Sequence, residues 1–585
     1  MKTNKYLLLV AASALVITTG CDQDQLDIPQ KGVIDFGDFY KTDADAESAM
    51  MIAYATTQKK FSHHETNGYN YGPYFGLTNY QSDDIWFGGT GTDDCVEQRE
   101  FHHFIYNADH MDVTGPYEVL YMSILKCNYV ITNFTEERLG TLSDVQKKCV
   151  AEARALRAFD YLTLGIYWGT PPIVETILTV EDKPANAESQ EYVMQWVADQ
   201  AQMAADDLPW RDGPNDYAGA VRITKGFALA IKGKALLWKG DYAGAKAALA
   251  EVINSGNYAL VPSDKMVTIG HADGKGSSEA VFEFNFDGTD LPSGEGHYER
   301  YDRAGWNDHN TFCMFRGGLM NGSNWADNRA YVGGWEWINP AGPFCEDLIA
   351  NDGMESARRQ AWIKTYDEIL YDFQWTSDGD NFTPGKTAEK AKDTKRGVAS
   401  GQRVFANTGY FQYKLGSHPC QGDQLDDSQP NRNFTIMRYA EVLLMYAEAC
   451  AQLGETSGDG LKALNDIQNR AQSKTVSTAL SLDAVKKEKR FELWLEGGRF
   501  ADLVRWGDFE TLKTADAWLP TLDDKINNGG SEHEALILTD LKDMEADFYV
   551  RLYGDQLGFK EKHKLLPFPQ RAIDLNSNLK QNPGW

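Results

Sequence analysis

After residue 21 no two cysteines lie closer than 22 residues apart, so the chain has neither a CxxC-type metal pair nor the dense spacing of a disulfide framework. With Cys21 set aside, seven remain, at 95, 127, 149, 313, 345, 420 and 450, and most are expected to sit buried as small apolar side chains. Positive charge is also scarce: 57 Lys and Arg stand against 85 Asp and Glu, a formal net charge of −28. Such a surface repels phosphates, which excludes nucleic acid as a partner and suits a neutral ligand. Beyond the N-terminus no stretch of eighteen uninterrupted apolar residues occurs, so no later helix is expected to cross a membrane. The G-x-S-x-G elbow, the H-E-x-x-H helix and the P-loop are all missing. Asp378-Gly379-Asp380-Asn381 opens like a calcium loop with Glu389 at the twelfth position, but Phe382 replaces a ligand and Thr383 the glycine. The pairs His63-His64 and His102-His103 are sequence neighbours, which point in different directions in most backbones and make a poor zinc site. Neither a metal nor a cofactor is expected.

What is present begins at the N-terminus. Lys2 and Lys5 precede a mostly apolar run, Tyr6 to Ile17, that ends at Thr18, Thr19, Gly20 and Cys21. A basic start, a short apolar core and small residues at the cut describe a signal peptide over residues 1–20, too short to remain as a membrane span. Cys21 then offers a thiol for lipid, which would anchor the protein outside the cytoplasm. An ordinary signal peptide with a chance cysteine is the alternative, and Thr18 stands where many bacterial lipoproteins carry leucine. Cleavage would remove Lys2 and Lys5 and leave a charge of −30 rather than −28. Residues 21–34 read as an extended tether.

Helical periodicity dominates residues 35–261 and 436–585. Val145, Cys149, Ala153, Leu156, Phe159, Leu162 and Ile166 trace one helical face, with Ser143 placed to cap it and Gly169, Pro171 and Pro172 to stop it. Thr224 opens a helix with Phe227, Ile231, Ala235 and Trp238 inward, and the Gly240-Asp241 turn leads into a second with Tyr242, Ala245, Leu249 and Val252. Close-packed pairs with a short turn have the stamp of tetratricopeptide units. Ile436, Tyr439, Leu443, Tyr446, Cys450 and Leu453, then Leu461, Leu464, Ile467 and Ala471, repeat the pattern. The two hairpins must stack to bury their faces.

The interval 262–435 differs in kind. It is rich in Gly, Asn, Asp and aromatics, its periodicity fades, and Ala280 to Phe286 alternates like a short strand. Residues 300–380 hold six of the fifteen tryptophans: 306, 325, 335, 337, 362 and 375. A loop-rich stretch is a poor place for core tryptophan, so some of these are expected to face a ligand. A second aromatic stretch runs from Tyr69 to Phe87, and its Gly and Asn spacing argues against a helix.

The segment Lys489 to Gly507, with Arg490, Glu492-Leu493, Glu496-Gly497, Arg499-Phe500, Asp502-Leu503 and Arg505-Trp506-Gly507, resembles the signature of the SusD/RagB family, cell-surface nutrient-binding lipoproteins of Bacteroidetes. Arg438 to Leu444 with Ala447-Glu448-Ala449, Glu152 to Ala158, Leu565-Leu566-Pro567-Phe568-Pro569-Gln570 and the closing Gln581-Asn582-Pro583-Gly584-Trp585 fit as well, with Trp585 where the family usually ends in Tyr. The acidic residues after Cys21 resemble that group's surface-export tag. The 262–435 interval carries none of these motifs.

The resemblance implies a mostly α fold: a single domain over 35–585, with a SusD-like scaffold of tetratricopeptide-like helix pairs and a loop-rich insertion with a few short strands at about 262–435. Read physically, Glu492 and Glu496 lie one helical turn apart and Arg499 and Asp502 are likewise neighbours, so the block can join two helical segments across Gly497 and Gly498 by ion pairs. A catalytic acid–base pair at Glu492 and Glu496 is disfavoured, because glycosidase carboxylates flank an open bond and usually come from separate elements.

Neutral sugars present apolar C–H faces and rings of hydroxyls, so a site for them needs flat aromatics with polar side chains at the edge. One stretch supplies Tyr71, Tyr74, Asn79, Asp83, Asp84, Trp86 and Phe87. The other supplies Trp306, Asn307, Asp308, Asn324, Trp325, Asp327, Tyr331, Trp335 and Trp337. The residues singled out as ligand-binding are Asp83, Asp84, Trp86, Phe87, Trp306, Asn307, Trp325 and Trp335, with Cys21 for lipid. The expected function is capture of oligosaccharide or polysaccharide at the outer-membrane surface and, as the resemblance implies, delivery to a SusC-like TonB-dependent transporter. The rivals are a RagB-type peptide-binding protein and a surface glycoside hydrolase.

Overall fold

The computed structural model describes residues 39–58, 72–87, 96–286, 337–365, 410–415, 432–512 and 556–585. Its main helices are α1 (Asp43–Gln58), α2 (Met111–Asn133), α3 (Asp144–Trp168), α4 (Gln190–Asp207), α5 (Lys225–Lys239), α6 (Tyr242–Asn254), α7 (Gly342–Asp352), α8 (Ala357–Trp362), α9 (Tyr439–Gln452), α10 (Asp459–Arg470), α11 (Leu482–Glu492) and α12 (Arg499–Trp506). Helices α1 to α6 pack each on the next, α9 then lies against α6, and α10 and α11 both pack on α9. The two hairpins, far apart in sequence, therefore stack directly.

Local chemistry explains the boundaries. Ser143 caps α3 reciprocally: its Oγ accepts from the Gln146 N–H at 3.1 Å and Gln146 Oε1 accepts from the Ser143 N–H at 3.1 Å. Inside α3, burial runs almost without a break from Ala151 to Gly165, because α1, α2 and α4 cover it on several sides. In the α5–α6 hairpin, Asp241 accepts from the Gly244 N–H at 2.9 Å, and Gly233 lets the helices close up. A Cβ on Gly233 would stand 2.6 Å from Leu249 Cγ.

Three expectations need correction. Ile436 belongs not to a helix but to strand β4 (Phe434–Arg438), which pairs antiparallel with β2 (Ala280–Phe284), and α9 starts only at Tyr439. The short strand expected from Ala280 onward is β2, and all five of its residues are buried. Glu283 is satisfied inside by the Gly276 N–H and the Asn433 amide, both at 2.9 Å, and by Thr435 at 3.2 Å. The Tyr69–Phe87 stretch does contain a short helix, Pro73–Asn79, started by a left-handed Gly72 (φ 60°) and a proline in the first turn. Trp337 and Trp362 are both buried, since the insertion contributes core as well as loops. Trp362 donates its indole N–H to Phe491 O at 3.0 Å.

The closing segment packs on the helices. Trp168 donates to Pro567 O at 2.9 Å, and the Asn582 amide donates to Trp168 O at 3.0 Å and Leu566 O at 2.7 Å. The Trp585 ring stacks on Tyr106 at 5.2 Å.

Candidate functional site

The first aromatic stretch ends in a strand that pairs with the three residues following Trp337, the last residue of the second. Strand β1 (Ile85–Phe87) pairs antiparallel with β3 (Ile338–Pro340), placing Trp86 opposite Asn339 and Phe87 opposite Ile338, and the Ala341 N–H donates to Asp84 O at 3.0 Å. The chain segments that precede β3 in sequence carry Trp306, Asn307, Trp325 and Trp335, and these four lie outside the described residues, as does Cys21. The same holds for Tyr71, for the other polar candidates between 308 and 331, and for the 378–389 segment. Trp86 is placed by its backbone in β1.

Asp83, Asp84 and Phe87 are interior residues, which corrects the expectation of carboxylates and a ring standing at a ligand's edge. Asp83 accepts from Arg499 Nε at 2.8 Å and Nη2 at 2.9 Å and from Thr511 Oγ1 at 2.9 Å. Burial works to raise its carboxyl, but the Arg499 charge overrides it and holds it below the usual range. Asp84 accepts from Arg490 Nε at 2.7 Å. For Asp84 burial wins over that guanidinium and the carboxyl is pushed up to about 6. Arg490 also reaches Asp347 of α7 at 2.6 Å, so these groups tie β1 to α7, α11 and α12. Phe87 packs edge-on against Tyr80 at 5.0 Å, and Asn79 accepts from the Gly497 N–H at 3.2 Å.

The signature block is the joint of the molecule. Glu492 ends α11 and meets Arg438 at 2.8 Å, Arg358 at 3.2 Å and Arg470. Arg438 also binds Glu279 at 2.7 Å and Glu496 at 2.6 Å, while Arg358 binds Asp352 at 2.8 Å and Glu488. Lys414, from the insertion, donates to Trp494 O at 2.7 Å and to Glu496, and its ammonium stands 4.0 Å from the centre of the Trp362 ring. Burial opposes ionisation of Glu492, yet the arginines Arg470, Arg438 and Arg358 override it and hold the carboxyl at about 2. Glu492, Glu496 and Arg499 pair with distant residues rather than within the block, while Lys489 and Asp502, 2.7 Å apart, join the two helical segments across Gly497 and Gly498 as expected. Glu496 lies beyond the end of α11, and Gly497 and Gly498 turn the chain at φ 80° and 124°. Glu279, Asp352, Arg358, Lys414 and Arg470 were not legible as partners, since most lie tens to hundreds of positions from Glu492 and Glu496.

A second cluster joins Glu448 to Arg505 and to Lys489 at 3.2 Å, with the Trp506 indole donating to Glu448 at 2.8 Å. Between the two clusters lies an open cleft lined in part by Tyr74, Lys234, Trp238, Glu441, Asp502 and Trp506. Its charged groups are paired, Lys234 with Glu441 at 2.8 Å and Asp502 with Lys489 at 2.7 Å, so the cleft is part of the frame. Burial pushes His102 down to about 4 and His103 well below the usual histidine range, so both are neutral interior rings.

Comparison with known proteins places this architecture. A family model described as the SusD family matches residues 255–585, including the interval in which no motif was recognised. A SusD-like protein of Bacteroides ovatus is 22% identical over 523 residues, covering 86% of this chain and 82% of that protein. SusD-like protein P38 of Formosa agariphila is 22% identical over 532 residues, covering 86% and 90%. Among solved structures, a laminarin binding SusD-like protein aligns with a TM-score of 0.68 at 22% identity, over 93% of this chain and 100% of that one. Surface glycan-binding protein A from Bacteroides thetaiotaomicron in complex with laminarihexaose aligns with a TM-score of 0.68 at 20% identity, again over 93% and 100%. With its helix pairs stacked around the 489–507 joint and the family model matching more than half of its length, this chain belongs to the SusD family.

Proposed function

We propose that this protein is a glycan-binding lipoprotein of the outer-membrane surface, a binding protein and not an enzyme, anchored through Cys21, which captures oligosaccharide and delivers it to a SusC-like TonB-dependent transporter. The observation that supports the reading is the β1–β3 pairing, which joins the end of the first aromatic, polar stretch to the residues directly after the second and so offers both a common mount. Flat rings on such a mount suit the C–H faces of sugar, and the Asn and Asp between them suit its hydroxyls. Trp86, Trp306, Asn307, Trp325 and Trp335 are the ligand candidates of this reading, with Asp83, Asp84 and Phe87 holding the mount. Residues 35–585 act in it as one domain. The laminarihexaose bound by one structural relative and the laminarin of another's name make β-linked glucan the first ligand to try. Affinity should be modest, because exposed hydrogen bonds to sugar replace equally good ones to water.

Calorimetry and tryptophan fluorescence against laminari-oligosaccharides, other oligosaccharides and peptides test it. Saturable binding of a glycan is expected, weakened about tenfold or more by Trp86→Ala, Trp306→Ala or Trp325→Ala, with the sugar recovered intact. Binding of peptide and of no glycan would transfer the protein to a RagB-type role, and cleaved sugar would make it a hydrolase. Cys21→Ser should release the protein from the membrane fraction.

A further inference from the structure

Where β1 begins, the carboxylates of Asp83, Asp84 and Asp347 share the guanidinium groups of Arg490 and Arg499. The partners are unevenly divided. Asp83 takes both Arg499 donors and the Thr511 hydroxyl from the 509–512 turn, and Asp347 of α7, whose side chain is 57% exposed, takes one arm of Arg490. Asp84 is 1% exposed. Its Oδ1 accepts from Arg490 Nε at 2.7 Å, while Oδ2, 3.3 Å from an Arg499 Nε that already donates to Asp83, accepts no hydrogen bond. A buried carboxylate oxygen without a donor is costly, and Asp83 beside it adds like charge. Asp84 is thus the member of this group placed to take up a proton first, in accord with burial pushing its carboxyl up to about 6.

The same residue fastens β1. Its carbonyl accepts from the Ala341 N–H at 3.0 Å, just past β3, and from the Trp494 indole N–H at 3.2 Å. Its own N–H donates to Ser82 Oγ at 3.1 Å. Trp86 follows two residues on, between the buried Ile85 and Phe87. Arg490 carries the side-chain tie onward, since its guanidinium reaches Asp347 at 2.6 Å and lies 5.7 Å from the centre of the Phe344 ring. A proton on Asp84 deprives that largely buried guanidinium of its buried counter-charge. Asp347 is then its remaining anion, out towards solvent, and a charge in an apolar setting follows the partner it has left. The pull on the start of β1 is lost.

We propose that Asp84 is the positioning residue of the glycan mount, and that a proton taken up there slackens β1 and weakens the capture of sugar; this rests on the glycan-binding reading above. Calorimetry of the full chain with laminarihexaose, or with whichever neutral oligosaccharide the panel above shows to bind, tests it between about pH 7.5 and pH 5. Such a sugar has no group that titrates in that range, so a change in affinity belongs to the protein. If only the ionised form holds the mount, about a tenth of the molecules are competent at pH 5 and the apparent Kd rises about tenfold, bending near pH 6. Asp84→Asn keeps the shape without the charge, so it should bind at pH 7.5 about as weakly as wild type at pH 5, with a flat profile. Arg490→Gln removes a charge that favours the carboxylate and should move the bend to higher pH. Asp112→Asn, at a second buried carboxyl pushed up to about 7, should keep the wild-type profile. Wild-type affinity indifferent to pH, a profile that survives Asp84→Asn or is flattened by Asp112→Asn, or a bend left in place by Arg490→Gln overturns the proposal while the glycan-binding reading stands. Should Asp84→Asn fail to fold, the wild-type and Arg490→Gln profiles decide. If wild type binds no glycan even at pH 7.5, the reading itself fails and the proposal goes with it.

Discussion

Glu492→Gln keeps the shape of the side chain and removes the charge on which Arg358, Arg438 and Arg470 converge. Its carboxyl is held at about 2, against an ordinary 4.5, and each unit of such a shift corresponds to about 1.4 kcal/mol. The ionised form is therefore favoured in the folded protein by about 3 kcal/mol, in line with the roughly 3–5 kcal/mol lost when one partner of a buried pair is removed. Glu488, equally buried one turn earlier, is the contrast: burial outweighs Arg358 and pushes its carboxyl up, so Glu488→Gln should cost less than half as much. Because the folded-state value of Glu492 is depressed, its contribution is complete above about pH 4.5 and is lost as pH falls through about 2. Urea unfolding followed by tryptophan fluorescence measures this. At pH 7 the Glu492→Gln variant should be about 3 kcal/mol less stable than wild type, narrowing to about 2 kcal/mol at pH 3.5. A cost under about 1 kcal/mol at pH 7, a Glu488→Gln penalty as large, or a gap indifferent to pH would refute the account of the joint.

Asp112, at the start of α2, is buried with neither carboxylate oxygen hydrogen-bonded, and burial, with Glu97 adding to it, pushes it up to about 7. A raised folded-state value means that stability is complete below about pH 4 and falls as pH rises towards 7, so Asp112→Asn should stabilise the protein at pH 8 by at most about 4 kcal/mol and not at pH 4, as read by thermal unfolding at both. Gly233→Val should cost about 1–3 kcal/mol by overpacking Leu249, and adding Leu249→Ala should recover part of the loss if the α5–α6 contact is the cause; an additive double variant would show that it is not.

The parts of this fold that were legible in sequence are those whose physics is local. The Ser143 cap, the Gly240-Asp241 turn and the apolar stripes of α3, α5, α6, α9 and α10 each declare themselves within a few residues. Ile436 misled because a buried strand feeding a helix continues the apolar pattern without a seam. The helix at Pro73 was hidden by its own start signals, a glycine and a proline, which also mark turns. Asp83 and Asp84 carry the chemistry of a sugar site, and only their distance to Arg499 and Arg490, more than 400 positions away, reveals them as ties. Trp362 shows the same blindness from the other side: a loop-rich neighbourhood conceals a side chain fixed against Phe491. The mount was half legible, since both stretches stood out by composition, while the pairing of residues 85–87 with 338–340 depends on contacts that no local pattern encodes.

The ladder between residues 85–87 and 338–340 is drawn from peptide groups, which every sequence possesses. Its own side chains are core, with Ile85, Phe87, Ile338 and Asn339 all buried, so the freedom to vary lies with residues outside the clasp. In the proposed glycan-binding role, a new ligand would be met by those outer residues without a change of fold.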